Sequence, residues 1–508
     1  MPHSPQFSSI CFIFSLLLLS TSPDYICAKN HTNKTLNLSV EKQNEAPVQA
    51  IGIEFDPHFL TQNVTADNGT KESDWDNIII RRLELLQVKK IRVMVLPQWY
   101  EPANDNDNPT MADVSHFHFD SPEMKGLCKL LDIAQLHHIM VTLTFWGVRP
   151  NSFMNNEDHT GWMIGPANDN EWAENISVCL QYLLCKKEYS CIQEITPVNE
   201  PDWSFSAKGR SPEDKYIEMC RILDARLRQD GLRKLVKLNL SDNSDGGTGN
   251  HHFLQACTEK LANTADLFNS HAYIFGYTTP NSTILNWERT NVLLTKAAGK
   301  HHFIGEFGSN QTVGATKQLD INRYERGILM ARIVINLLNA GACGASYWSL
   351  LDQYYSKQEA LSHNNMQQLG LWKYLRNDYM GDSINKDIHK DYEVRPQYFA
   401  FGMLSRFVQP NSIVYPILTR NEWVAATALR KAKNYWTYLF ANPLKEDIRI
   451  DISNTQLHGT KKFKIYQYLR HSLPQNDMPI KASATCTQQD GHLIFSLPAS
   501  SFVILEQE

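Results

Sequence analysis

Two glutamates stand at matching places in this chain. Glu200 lies in the stretch ITPVNEPDW and Glu306 in FIGEFGS, each directly after a short apolar run. Such a run reads as a buried strand, so each carboxyl falls where a strand ends and a loop begins. A single acid there can simply cap a loop or pair with an arginine. Two at equivalent strand ends can share a reaction, one attacking as a carboxylate while the other delivers and recovers a proton.

The elements that must position this pair alternate regularly. Apolar runs occur at Ala50–Phe55, Lys90–Leu96, Ile139–Trp146, Ile192–Asn199, Leu235–Leu240, Leu267–Ala272, His302–Glu306 and Gly344–Leu350. Amphipathic helical patterns separate them: Asp74–Val88, Met124–His138, Glu171–Lys186, Pro212–Arg228, Asn250–Asn263, Thr290–Lys300 and Asn322–Asn339, with an eighth at Pro396–Phe407. Continuous apolar strands alternating with helices predict a parallel sheet buried on both faces, and eight units predict a closed (β/α)₈ barrel. An open doubly wound sheet would call for a glycine-rich loop after the first strand, where this chain has Asp56-Pro57-His58. After about residue 409 the pattern becomes short alternating strands between turns, which predicts a C-terminal antiparallel β-sandwich. The expected organisation is a leader peptide over 1–28, a mobile polar segment over 29–47, the barrel over 48–408 and the sandwich over 409–508. Barrel enzymes carry their chemistry at the C-terminal strand ends, which places Glu200 and Glu306 on one face.

Asn199-Glu200-Pro201 and Gly305-Glu306-Phe307-Gly308 resemble the two signature motifs of the clan A glycoside hydrolases. The second motif is most similar to family 5, and the sandwich after the barrel resembles families 30 and 39. That resemblance implies a retaining glycosidase acting on O-glycosidic bonds, with Glu200 as acid/base, Glu306 as nucleophile and a carbohydrate as substrate. It further implies supporting or sugar-contacting roles for Arg92 on strand two, Trp146 at the end of strand three, Asn199, Trp203, His271 and Tyr273 at the end of strand six, and Trp348 at the end of strand eight. Many family 5 enzymes carry a histidine where this chain has Trp146. A transglycosylase using the same carboxylates and a non-catalytic carbohydrate-binding barrel are the alternatives.

The composition fits this reading. With 508 residues, 42% hydrophobic and 20% charged, the chain is ordinary globular protein. A formal net charge of −5 argues against a nucleic-acid partner. The apolar run at residues 10–20 is too short to span a bilayer and predicts an export signal cleaved after Ala28, hence a secreted or extracytoplasmic protein. Sequons at Asn30, Asn33, Asn37, Asn63, Asn68, Asn175, Asn239, Asn281 and Asn310 suit that compartment, although Asn239 falls inside an apolar strand. Of 10 cysteines, Cys11 and Cys27 fall in the leader. Among the rest, Cys179, Cys185 and Cys191 are close enough to offer one disulfide. No metal and no cofactor are expected, since the side chains of His251-His252 and His301-His302 diverge.

Overall fold

The computed structural model describes residues 35–44, 46–60, 73–148, 165–204, 211–244, 249–313, 317–355, 365–373, 392–431 and 434–508. The leader at 1–28 lies outside them. Eight parallel strands close a barrel: Ala50–Glu54, Lys90–Val95, Met140–Phe145, Ile192–Thr196, Lys237–Asn243, Leu267–Ala272, His302–Phe307 and Gly344–Tyr347. All eight coincide with the apolar runs read from the sequence, because strands covered on both faces have nearly every residue buried. The fifth differs most, since it runs on to Asn243 through the polar Ser241 and Asp242.

The helices start where local chemistry dictates. Ser121 and Ser211 cap the helices Pro122–Leu136 and Pro212–Gln229, accepting from Met124 N and Asp214 N, and proline occupies the first helical position of each. The helix expected over 290–300 begins earlier, at Asn281. The helix Glu325–Ala340 is buried along almost its whole length because the barrel covers one side and the C-terminal strands the other.

Those strands form one sheet, in the order Thr35–Ser39, Ile448–Ser453, His492–Leu497, Ala482–Gln489, Thr460–Tyr468, Ser501–Gln507, Trp436–Asn442, Ala425–Arg430 and Ile413–Ile417. All neighbours are antiparallel except the first pair. The sheet folds over its own core, where Phe440 from one half meets Phe495 from the other edge-on at 4.9 Å. The fold is therefore a (β/α)₈ barrel followed by a mainly antiparallel sandwich.

Two expectations are corrected here. The segment 29–47 is not simply a mobile leader, because Thr35–Ser39 pairs in parallel with Ile448–Ser453 and buries Leu38 in the sandwich core. The cysteine pair expected among Cys179, Cys185 and Cys191 does not form; each of the eight described cysteines is a free thiol, with Cys179 and Cys191 buried and Cys185 exposed. The sequons at Asn175, Asn239 and Asn281 are buried and closed to a glycan, whereas Asn37 and Asn310 are exposed.

The sandwich is fastened to the barrel by polar as well as apolar contacts. Tyr324, just before the buried helix, stacks on Tyr468 at 4.6 Å, and each hydroxyl donates to the other residue's carbonyl, at 3.0 and 2.7 Å. Residues of both parts share one continuous core.

Candidate active site

Register and bulges assemble the site at the C-terminal strand ends. Glu54 and Arg92 are lateral neighbours on strands one and two, and His271 and Glu306 on strands six and seven. Strand five breaks register between Ser241 and Asn243, and strand six shifts against strand seven between Ser270 and His271. Such bulges re-aim side chains, here Asp242 and His271 toward the barrel axis. Glu200, Ser241 and Asp242 have φ of 43°, 80° and 50°, left-handed backbone that costs a non-glycine residue free energy and concentrates at functional sites. The Glu200 amide donates to the Asp242 carbonyl at 3.1 Å, tying these two turns together.

Arg92 is the hub. Its guanidinium donates to Glu306 Oε1 at 2.7 Å, Glu54 Oε2 at 3.0 Å, Asn199 Oδ1 at 2.8 Å and Asp242 Oδ2 at 2.8 Å. Burial works against its charge, but Asp242, Glu54 and Glu306 more than restore it and hold its pKa well above the ordinary value. Trp146 lies over the guanidinium at 5.0 Å. Tyr273 donates its hydroxyl to Glu306 Oε2 at 2.7 Å.

His271 is fully buried, with Nδ1 2.8 Å from Glu200 Oε1 and Nε2 3.2 Å from Asp242 Oδ1. Burial alone would lower its pKa; Glu306 and Asp242, with hydrogen bonds to Asp242 and Glu200, raise it well above the usual range. An acid at each nitrogen favours the charged form of His271, which donates from both.

Glu200, His271 and Glu306 each place one polar atom within 4.8 Å of the others. The two acids differ in setting. The Glu200 side chain keeps 23% of its surface exposed and Glu306 only 6%. Burial lifts the Glu306 pKa, His271 and Arg92 pull it down, Glu200 pushes it up, and the result stays above the ordinary value. Burial lifts Glu54 further, well above its ordinary value against the pull of Arg92, whereas Asp242 is held low: burial opposes its charge, and Arg92 and His271 overcome it.

The two motif glycines have packing reasons. A side chain on Gly305 would fall against Asn269 and within 3.0 Å of Asp242 Oδ1, and one on Gly308 would meet the Tyr273 ring at 2.9 Å.

Of the residues singled out in the sequence, Glu200, Glu306, Arg92, Asn199, His271 and Tyr273 converge in this one network. Trp146 is buried under Arg92 and packs on Trp348 at 5.6 Å, so it shapes the site from behind. Trp348 precedes a cis peptide and is also largely buried. Trp203 sits on the short helix Pro201–Ser204, and its side chain lies outside the described residues. Sequence reading missed Glu54 and Asp242. Both stand at strand ends in plain view, in IGIEFD and LNLSDN, and an acid closing an apolar run was the available signal. The histidine pairs are engaged elsewhere: His251 with Asn291, His252 with Glu213, and His302 with Glu288 and Ser270.

No protein-family model matches the chain, and no curated protein matches it. Solved structures do. The catalytic domain of a family 30 xylanase C from Talaromyces cellulolyticus aligns with TM-score 0.63 and 14% identity over 93% of this chain and 100% of that one. A glucosidase from Croceicoccus marinus aligns with TM-score 0.59 and 10% identity over 93% and 99%. A family 39 glycoside hydrolase from Bacteroides cellulosilyticus aligns with TM-score 0.57 and 11% identity over 91% and 81%. The chain thus has the barrel-and-sandwich fold found in solved clan A glycoside hydrolases of families 30 and 39.

Proposed function

We propose that this protein is a retaining glycosidase that cleaves β-O-glycosidic bonds of a carbohydrate by double displacement. The observation that carries this is the pair of unequally exposed carboxyls, Glu200 and Glu306, with an oxygen of each within 4.8 Å of the other. Retaining enzymes hold their carboxyls about 5–5.5 Å apart, whereas inverting ones need about 6.5–9.5 Å to admit a water. Glu306, oriented by Arg92 on one oxygen and Tyr273 on the other, attacks the anomeric carbon. Glu200 protonates the leaving oxygen and then deprotonates the water that releases the sugar. His271 holds Glu200 through Oε1 at 2.8 Å and so orients its carboxyl. Asn199, fixed by Arg92 through its carbonyl oxygen, keeps its amide N–H groups for the sugar 2-hydroxyl. Export to an extracytoplasmic compartment is part of this reading. Among the described residues, no helix is long and apolar enough to cross a membrane.

The test follows the early reaction on a β-linked aryl glycoside by NMR. First release of the β-anomer, together with covalent trapping of Glu306 by a 2-fluoro glycoside, is expected. First release of the α-anomer would sink the retaining assignment and recast Glu306 as a general base.

A further inference from the structure

A second acidic centre lies outside the catalytic network. Glu101 and Asp105 come from the loop after barrel strand two, and Glu171 from the first turn of the helix Asp169–Leu180. One oxygen from each lies within 4.8 Å of the others, and all three residues are more than nine-tenths buried. Glu174, one turn further along the same helix and 0% exposed, is a fourth buried acid of that helix face.

Asp105 Oδ2 accepts from Asn106 Nδ2 at 2.9 Å and from the Asp113 amide, but among the described residues the other oxygens are short of partners. Glu101 Oε1, Asp105 Oδ1, Glu171 Oε1 and both Glu174 oxygens have no hydrogen-bond donor. The other Glu101 oxygen accepts from Asn175 Nδ2 at 2.6 Å. Among the described residues, the cation paired with these acids is Arg226, 3.7 Å from Glu174 and already donating to Asp230 at 2.6 Å. One distant guanidinium does not balance four buried carboxylates, and an uncompensated buried charge is costly.

We propose that Glu101, Asp105, Glu171 and Glu174 bind a calcium ion that pins the loop after strand two to the helix Asp169–Leu180. Oxygens at about 2.3–2.6 Å on opposite sides of Ca²⁺ are themselves about 4.8 Å apart, which fits this spacing. The donor set is oxygen only, so it selects a hard cation over zinc or copper. Four carboxylates in a buried pocket suit the many-oxygen shell of Ca²⁺ better than Mg²⁺, which keeps several waters. The loop held this way stands on the catalytic face, so the ion braces a wall of the cleft and takes no part in the chemistry. Carboxylates bind a cation in their ionised form, so binding weakens as pH falls.

The test uses the full protein, stripped with chelator and titrated with Ca²⁺, Mg²⁺ or Mn²⁺ by calorimetry and thermal unfolding. One Ca²⁺ per chain is expected. About 1 mM Ca²⁺ should raise Tm by a few degrees near pH 8, with a smaller effect near pH 5.5. Glu101→Gln and Glu171→Gln should each weaken binding at least about tenfold while leaving the stripped protein as stable as before, since each removes a like charge. A Tm unmoved by any of the three ions overturns the site, as does a full Ca²⁺ response in both variants. Tighter binding of Mg²⁺ or Mn²⁺ than of Ca²⁺ overturns the calcium assignment.

Discussion

Arg92 and Asp242 lie 2.8 Å apart, both almost wholly buried, although one comes from barrel strand two and the other from strand five. Asp242 also meets His271, so one carboxylate braces both groups that face Glu200 and Glu306. Asp242→Asn should therefore lower kcat about 10²-fold with a smaller change in KM, through misplacement of groups it does not itself replace. It should also cost about 3 kcal/mol of stability by leaving Arg92 short of a buried partner. Steady-state kinetics and thermal unfolding measure both. A variant with wild-type kcat would show that Asp242 positions nothing.

Removal of Glu306 and Glu200 should separate the roles proposed for them. Glu306→Gln should lower activity about 10³-fold or more on every substrate without unfolding the protein. Glu200→Ala should lose about 10²–10⁴-fold on poor leaving groups and much less on activated ones. Azide should partly restore Glu200→Ala and give a β-glycosyl azide. Near-wild-type turnover in either variant would displace that residue from its role.

The pH profile carries a sign. As the proposed nucleophile, Glu306 must be ionised to attack, and burial holds its pKa above 4.5. Activity should therefore fall, as pH drops, at a midpoint above that value. The Tyr273 hydrogen bond favours the ionised form, so Tyr273→Phe should move the acid limb further up. A hydrogen bond to a charged group of about 1.5 kcal/mol corresponds to about one pH unit. An unmoved limb in the Phe variant would detach Tyr273 from the nucleophile.

At the other end of the barrel, Lys90 donates to Glu194 at 2.6 Å with both side chains buried. Burial alone would raise the Glu194 pKa; Lys90, with hydrogen bonds from Thr142 and Gln49, overcomes this and lowers it. A depressed acid contributes stability above its unfolded pKa and loses it as pH falls through the folded value. Lys90→Met should cost about 3–5 kcal/mol near neutrality, less in acid, because Glu194 is left charged and unpaired. Urea unfolding at two pH values checks this, and an equal cost at both would refute the pairing as its cause.

A chain truncated after Val408 should be insoluble or aggregate. The helix Glu325–Ala340 would lose the strands that cover it, and Tyr324 its partner Tyr468. A soluble, active truncated protein would show that the sandwich is dispensable.

The local features were legible in the sequence because their causes are local. An apolar run buried on both faces announces each barrel strand, and the acid that closes the fourth or seventh run stands at the rim whatever the rest of the chain does. Ser121-Pro122 and Ser211-Pro212 likewise start helices from their own residues. The strand Ala482–Gln489 was not legible, since most of its residues are exposed and it is held by backbone pairing with its neighbours. Nor was Thr35–Ser39, whose partner lies more than four hundred residues away. The tertiary structure alone decided that Glu54 and Asp242 belong with Arg92, and that Glu101 meets Asp105 and Glu171. A carboxylate in a sequence carries no mark of its future neighbours. Barrel closure, register and the bulge at Asp242 choose them, and the low dielectric of the interior then decides which acids ionise and which keep their protons.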